Sequence, residues 1–229
     1  MIAKAKIPGG GLAVAWFLLL AFLCYEGHQW FRHLVGAALC AGVGTMTFTA
    51  ARTRQPCLFP SFVTISGPLF TFGLEWLGML LLLSPRTARP GYALIFASFA
   101  HLRFIQTLSG RGDELLLAQQ WFVSPSVVLV AAAVFLAGLP PLVAAFRAIA
   151  NQRRAPVFFS SYLLPLPLLF AILLASRFLY GENGDDIRGA TIFGAPVLVL
   201  ATQAVAIALS IILTIYIKYI RRLASPAEF

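Results

Sequence analysis

The sequence predicts an all-α polytopic membrane protein with about six transmembrane helices and a short β-hairpin between the first two. Of its 229 residues 60% are hydrophobic and only 11% are charged, and the mean hydropathy is +0.87. A soluble domain of this length cannot hide so much apolar surface, because many of its residues must face water. The chain is therefore expected to lie in a lipid bilayer as one membrane domain, residues 1–229.

Six apolar segments are long enough to be spans, since a helix needs ~20 mostly apolar residues to cross ~30 Å of hydrocarbon. They lie at residues 11–41, 66–83, 91–108, 127–149, 157–180 and 192–220. The first is longer than a span requires, so its second half must tilt or leave the lipid. Pro140 and Pro141 interrupt the fourth segment, and Pro165 and Pro167 the fifth. Helices with such breaks are expected to face other protein at those points.

The net charge of +9 is spread over the ends of the apolar segments. Basic residues in such places act as topology signals and contacts to anionic lipids, so no nucleic-acid partner is expected. With six spans, one side receives Lys4, Lys6, Arg86, Arg89, "RAIANQRR" and "KYIRR", and the other receives Arg52, Arg54, "GRGDE" and "GENGDDIRG". Because cytoplasmic loops carry the excess of Lys and Arg, both termini are expected in the cytoplasm. The protein is expected in the cell membrane, which in a bacterium is the inner membrane.

The segment between the first two spans, "VGTMTFTAARTRQPCLFPSFVTIS", predicts a β-hairpin. "TMTFT" and "SFVTI" are rich in β-branched and aromatic residues and are separated by Arg, Gln and Pro. Such a hairpin must be buried in protein or lie at the interface, because lipid cannot satisfy its backbone. The cysteines Cys24, Cys40 and Cys57 lack metal-site spacing, and an odd number cannot all pair within the chain. Cys24 and Cys40 lie in apolar runs and are expected to be inert packing residues.

A polar cluster, "YEGHQWFRH", lies inside the first span. At 100° per residue, Glu26 and His33 fall on one helix face, and His28 and Arg32 fall on another. His28 and His33 are about 140° apart, so an undistorted helix cannot bring both to one metal ion. The cluster is either an interfacial anchor at headgroup level or a buried polar site, because apolar sequence resumes at once with "LVGAALCAG".

Further ionisable residues lie at membrane depth, Glu75 in the second span and Arg103 in the third. A charged group at the bilayer centre costs at least ~2.5–3.5 kcal/mol, so these side chains should face the bundle interior and pair. Glu75 with Arg103 is the expected ion pair, although Glu75 could take Arg32 instead. After the third span, "SGRGDELLLAQQW" predicts a tight turn and a short amphipathic helix, where Asp113 is either the N-cap or a ligand or acid–base group.

The order of these elements resembles the core of the site-2 proteases, a family of intramembrane zinc metalloproteases. That family has H-E-x-x-H in its first core helix, then a hairpin, a Gly-Pro at the next helix and an Asp-Gly turn with the third zinc ligand. The resemblance covers residues 11–120, and "SGPL" is the best single match. It implies zinc as a cofactor, His33, Asp113 and His28 as candidate ligands, and Glu26 as the candidate catalytic base. It also implies that His33 faces Asp113.

The match to that motif is incomplete. If His33 is the second zinc histidine, Gln29 and Trp30 stand where the first histidine and the glutamate belong; if Glu26 is aligned, both histidines are lost. Zinc hydrolysis needs three protein ligands, an open water position and a general base. The leading hypothesis is therefore a non-catalytic binding or regulatory membrane protein that holds a partner helix or strand. The alternatives are an active zinc protease with rearranged ligands and a peptide substrate, a small transporter, or an accessory subunit of a membrane complex. Residues 121–229 add three further helices without a diagnostic motif.

Overall fold

The fold, taken from a computed structural model that describes residues 2–53, 55–122, 124–180 and 190–224, is mostly helical (72%). The helices are α1 (Gly11–Leu39), α2 (Pro60–Leu81), α3 (Ala88–Ala97), α4 (Ala100–Leu108), α5 (Asp113–Trp121), α6 (Val127–Ala148), α7 (Arg154–Leu163), α8 (Pro165–Tyr180) and α9 (Val197–Ala224). The strands β1 (Thr45–Met46), β2 (Ala51–Arg52), β3 (Thr191–Ile192) and β4 (Ala195–Pro196) form two antiparallel pairs, β1–β2 and β3–β4. The "GENGDDIRG" loop, residues 181–189, lies outside the described residues.

Five helical segments of the described chain are long and apolar enough to cross a membrane: α1, α2, α6, α7 with α8, and α9. Only 11–44% of their most apolar windows is buried inside the protein, so most of those apolar side chains lie on the outer surface of the bundle. The expected third span is divided, because Phe99 adopts a left-handed conformation (φ 61°) between α3 and α4. A bulky residue rarely adopts this conformation, and no sequence pattern marked it.

Helix α1 is continuous from Gly11 to Leu39 through the whole polar cluster, as the sequence predicts. Gly27 does not interrupt it; a Cβ at this position would lie 2.8 Å from the Phe70 ring of α2. Glu26, His28 and His33 are all buried. These three side chains are therefore enclosed by protein, as a buried polar site requires.

The hairpin after α1 is present, but its predicted second strand is wrong. Residues 61–65, "SFVTI", belong to the first turns of α2, and Ala51–Arg52 is the strand that pairs with Thr45–Met46. Pro60 is preorganised for the first turn of a helix. Val63 packs against α1 at Gly36, and this tertiary contact outweighs the β propensity of the segment.

Cys40 is not an inert packing residue, because it forms a disulfide with Cys57. The two residues form an isolated antiparallel bridge, so the end of α1 and the start of α2 are already adjacent. Cys24 is the free cysteine and is buried. At the opposite end of the molecule, the N-terminal segment bonds to the residue that follows α2 and to the last residue of α6, with Ala3 N donating to Leu82 O at 2.9 Å and Ala5 N to Ala148 O at 2.8 Å.

Candidate functional site

The two polar faces of α1 contact different parts of the molecule. His28 and Arg32 point toward α4 and the start of α5, where they meet Arg103 and Asp113. Glu26 and His33 point toward α9 and the β3–β4 pair. This separation is the one expected for residues at these positions on an undistorted helix.

Asp113 lies at the centre of the first of these groups. Arg32 Nη1 donates a hydrogen bond to Asp113 Oδ1 at 2.7 Å, and His28 Nε2 lies 3.6 Å from Oδ2. Arg103 Nη1 lies 3.7 Å from the same Oδ2 and donates to Glu114 Oε1 at 2.7 Å. Burial alone would raise the pKa of the Asp113 carboxyl, but the nearby His28 imidazole and the charges of Arg32 and Arg103 bring that pKa below its ordinary value. Asp113 is therefore an ionised carboxylate.

Asp113 is not the N-cap of α5, because Gly112 occupies the cap position and no side chain caps this helix end. Gly112 has a φ of +108°, a conformation that favours glycine. The turn thereby places Asp113 and Glu114 together in the first helical turn, facing two guanidinium groups. Negative charge is favourable at this end of a helix.

Contacts with α2 also hold the His28 side chain in place. Its Nδ1 lies 2.9 Å from Thr71 Oγ1 and 2.9 Å from Arg103 Nη2. A Cβ at Gly67 would lie 2.3 Å from the Cε1 atom of His28. The "SGPL" segment is therefore in direct contact with the imidazole, and only glycine leaves room for it.

These side chains line a cavity of about 480 Å³, within the ~300–1,000 Å³ range of small-molecule sites. Its polar wall contains His28, Gln29, Arg32, Arg103, Arg111 and Asp113, and its apolar wall contains Phe99, Leu102, Leu169 and Leu173. Three arginines thus face the cavity together with one aspartate. Gln29 Oε1 and Arg32 Nε are buried without a hydrogen-bond partner among the described residues.

Glu26 and His33 belong to a separate set of hydrogen bonds on the other side of α1. Glu26 Oε2 accepts a hydrogen bond from Gln203 Nε2 of α9, and Gln203 Oε1 accepts one from Trp30 Nε1 at 2.8 Å. His33 Nε2 donates to the backbone carbonyl of Phe193 at 2.9 Å. Glu26 does not line the cavity that contains His28 and Asp113. A catalytic base at Glu26 would therefore be on the wrong side of α1 for those two residues.

The prediction that His33 faces Asp113 is wrong, because the residue of α1 that reaches Asp113 is His28. Within the described residues, no three His, Cys, Asp or Glu side chains lie close enough together to hold a metal ion. The chemistry of the site also does not fit zinc. Two guanidinium groups already pair with the carboxylates beside His28, so those oxygens are not free to bind a divalent cation.

The predicted Glu75–Arg103 ion pair is also wrong. Arg103 forms an ion pair with Glu114, and Arg32 forms one with Asp113. Glu75 is fully buried, and neither of its carboxyl oxygens has a hydrogen-bond partner among the described residues. The break at Phe99 redirects α4, so that the acidic first turn of α5 offers Arg103 a nearer partner.

Several residues of the site were not assigned a part in it from the sequence, namely Glu114, Arg111, Thr71 and Gln203. Two signals in the sequence point to Glu114, namely its position next to Asp113 and the i,i+4 spacing of His28 and Arg32. A single glutamine in the apolar sequence of α9 gave no signal. Comparisons of this chain with protein-family models, with curated proteins and with solved structures find no match.

Proposed function

We propose that this protein is a non-catalytic binding protein of the membrane, and that it takes an anionic amphiphile into the cavity between α1, α4, α5 and α8. The observation that carries this proposal is the position of Arg32 and Arg103 in the wall of a 480 Å³ cavity. Arginine is suited to carboxylates and phosphates because its planar guanidinium presents donors in a fixed fork. Ionisable residues at membrane depth are costly, and for that reason they mark functional sites by default.

Asp113 and Glu114 orient the two guanidinium groups without using all of their donors. A guanidinium has five N–H groups, and the hydrogen bond of Arg32 to Asp113 comes from one nitrogen, Nη1. Arg111 adds an exposed positive charge at the cavity. Leu169 and Leu173 of α8 line the same cavity, so a ligand with a charged head and an apolar tail would find a complementary surface for both.

We also infer that residues 11–120 share the arrangement of a site-2 protease core without its zinc chemistry. Gly67 of "SGPL" and Asp113 of the turn both lie against His28, so the elements that the resemblance assigns to a zinc centre meet at this histidine. Arg32 and Arg103 are paired with Asp113 and Glu114, and Arg111 adds a further positive charge to the cavity wall, which favours an anion over a metal ion. An active zinc protease with rearranged ligands is the second candidate, favoured only by the approach of His28 to Asp113.

We infer six membrane crossings with both termini in the cytoplasm, with α3 and α4 together forming the divided crossing. Support comes from the contact of Ala5, before α1, with Ile149, after α6. These residues can lie at the same end only if an even number of crossings separates them. The three spans α1, α2 and α6 need a fourth, and α3 with α4 is the available segment.

The binding proposal can be tested by native mass spectrometry of the purified protein with phosphatidylglycerol or phosphatidylcholine added. We expect retention of phosphatidylglycerol and little retention of phosphatidylcholine. Arg111→Gln should weaken phosphatidylglycerol binding by about tenfold or more, because a charge-assisted hydrogen bond contributes ~1.5–3 kcal/mol. Arg89→Gln is the matched control, since Arg89 is equally exposed and lies outside the cavity.

The double change Arg103→Gln with Glu114→Gln removes a buried pair without leaving one charge uncompensated. It should abolish the preference for phosphatidylglycerol. Equal retention of both lipids by the wild type, or unchanged binding in these variants, would contradict the proposal. Zinc bound near one equivalent in the purified protein, and lost in His28→Ala and Asp113→Ala, would favour the protease instead.

A further inference from the structure

Helix α6 contains two adjacent prolines near its middle, Pro140 and Pro141. Because proline has no N–H group, the carbonyls of Leu136 and Ala137, four residues earlier, lose their helical donors. In the apolar part of a membrane these carbonyls must be satisfied by neighbouring protein. Helix α2 satisfies one of them, since Trp76 Nε1 donates to the carbonyl of Ala137 at 3.1 Å.

Glu75, the residue before Trp76, lies at the same proline break in α6. Glu75 has 0% of its surface exposed, and a Cβ added at Gly138 would lie 3.4 Å from its Oε2 and 3.6 Å from its Oε1. The carboxyl group therefore packs against the backbone of α6 at Gly138, one residue after Ala137.

No positive group neutralises this carboxyl, because both of its oxygens lack a partner among the described residues. Tyr162 of α7 is the titratable residue within electrostatic range of it, and the ring of His101 on α4 lies 4.4 Å from the Tyr162 ring. The other ionisable residues of the elements that contact α2 are engaged elsewhere or exposed. They are Tyr25, Glu26, His28, Arg32 and His33 on α1, Tyr92 and Arg89 on α3, Arg103 on α4, Asp113 and Glu114 on α5, and Arg147 on α6. Cys24 on α1 is a buried free thiol.

We propose that Glu75 is a proton-binding site, in which the carboxyl group is held as the neutral acid against Gly138 at the proline break of α6. An ionised carboxylate at this position would be buried without a counter-charge. The protonated acid removes this penalty. Loss of the proton would place an uncompensated charge at the α2–α6 contact and weaken it. This site is separate from the arginine-lined cavity and does not depend on what that cavity binds.

Infrared spectroscopy tests the protonation state directly. The difference between wild type and Glu75→Gln at neutral pH should contain the C=O stretching band of a protonated carboxylic acid, shifted in D₂O. Asp113→Asn is the control, and its difference spectrum should contain only carboxylate bands, because Asp113 is ionised and paired with Arg32. Carboxylate bands alone in the Glu75→Gln difference would overturn the proposal.

Thermal unfolding in detergent gives a second, independent readout. Glutamine has the shape of the neutral acid and keeps a donor, so Glu75→Gln should unfold at the wild-type temperature or above it. The unfolding temperature of the wild type should fall as the pH is raised into the alkaline range, because ionisation of Glu75 then competes with folding, and Glu75→Gln should lose part of that fall. A Glu75→Gln protein that is much less stable than the wild type, or that fails to fold, would also overturn the proposal.

Discussion

Gly67 is the residue on which the contact between α1 and α2 depends most directly. The imidazole of His28 occupies the space where a side chain at position 67 would begin. The same imidazole contacts Thr71, Arg103 and Asp113. A displacement of His28 therefore disturbs the polar wall of the cavity as well as the packing of two helices.

We expect Gly67→Ala to lower the free energy of unfolding by about 1–3 kcal/mol, the usual cost of overpacking a close contact. Gly73→Ala on the same helix is the matched control, since a Cβ at Gly73 meets nothing within 4 Å. Alanine there should leave stability unchanged or raise it by up to about 1 kcal/mol, because alanine loses less backbone entropy than glycine. Thermal unfolding of the two variants measures the difference. Equal stabilities would show that α1 and α2 are not in close contact at His28.

At the scale of elements, the disulfide between Cys40 and Cys57 joins α1 to α2 across the first hairpin, over 17 residues. The helices contact each other along their length through Gly27, Gly36 and Gly67. The disulfide adds a covalent tie at one end of this contact, where the chain leaves regular helix for short strands. The unfolded chain loses freedom through this tie, which stabilises the folded state.

We expect the double change Cys40→Ser with Cys57→Ser to lower the free energy of unfolding by about 2–4 kcal/mol, as for other disulfides closing loops of this size. Thiol titration of the denatured wild type gives the control for the pairing itself. It should find one thiol without reductant, which is Cys24, and three after reduction. Three thiols without reductant would contradict the pairing, and an unchanged stability of the double variant would contradict its contribution.

At the scale of the whole molecule, the sequence predicts what depends on composition and on helical period. The membrane class, the continuity of α1 and the sharing of one face by Glu26 and His33 all follow from these. The register between helices does not follow from composition or helical period. This register brings His28, and not His33, to Asp113. The left-handed Phe99 that divides α3 from α4 does not follow from composition or period either, and its ring packs against Tyr25 of α1. After this break Arg103 pairs with Glu114, and Glu75 has no hydrogen-bond partner among the described residues.

The two ends of the molecule are each held together by contacts between distant parts of the chain. At one end Ala3 and Ala5 bond to Leu82 and Ala148, close to the basic residues that the sequence assigns to the cytoplasm. At the other end the disulfide joins α1 to α2, and Ser61 Oγ donates to Gln120 Oε1 at 2.8 Å. Because disulfides form in oxidising compartments, we expect the second end, with the turn before α5, to face away from the cytoplasm.

Single cysteines at Ser109 and at Arg86 test this orientation, since both positions are exposed and lie at opposite ends of the divided α3–α4 segment. The native cysteines do not interfere, because Cys24 is buried and the other two are paired. In intact cells a membrane-impermeant maleimide should label Ser109→Cys, and it should label Arg86→Cys only after the membrane is permeabilised. Labelling of both from the same side would mean that α3 and α4 do not cross the bilayer, and the six-crossing arrangement would then be wrong. Labelling in the reverse order would invert the orientation and place the arginine-lined cavity toward the cytoplasm.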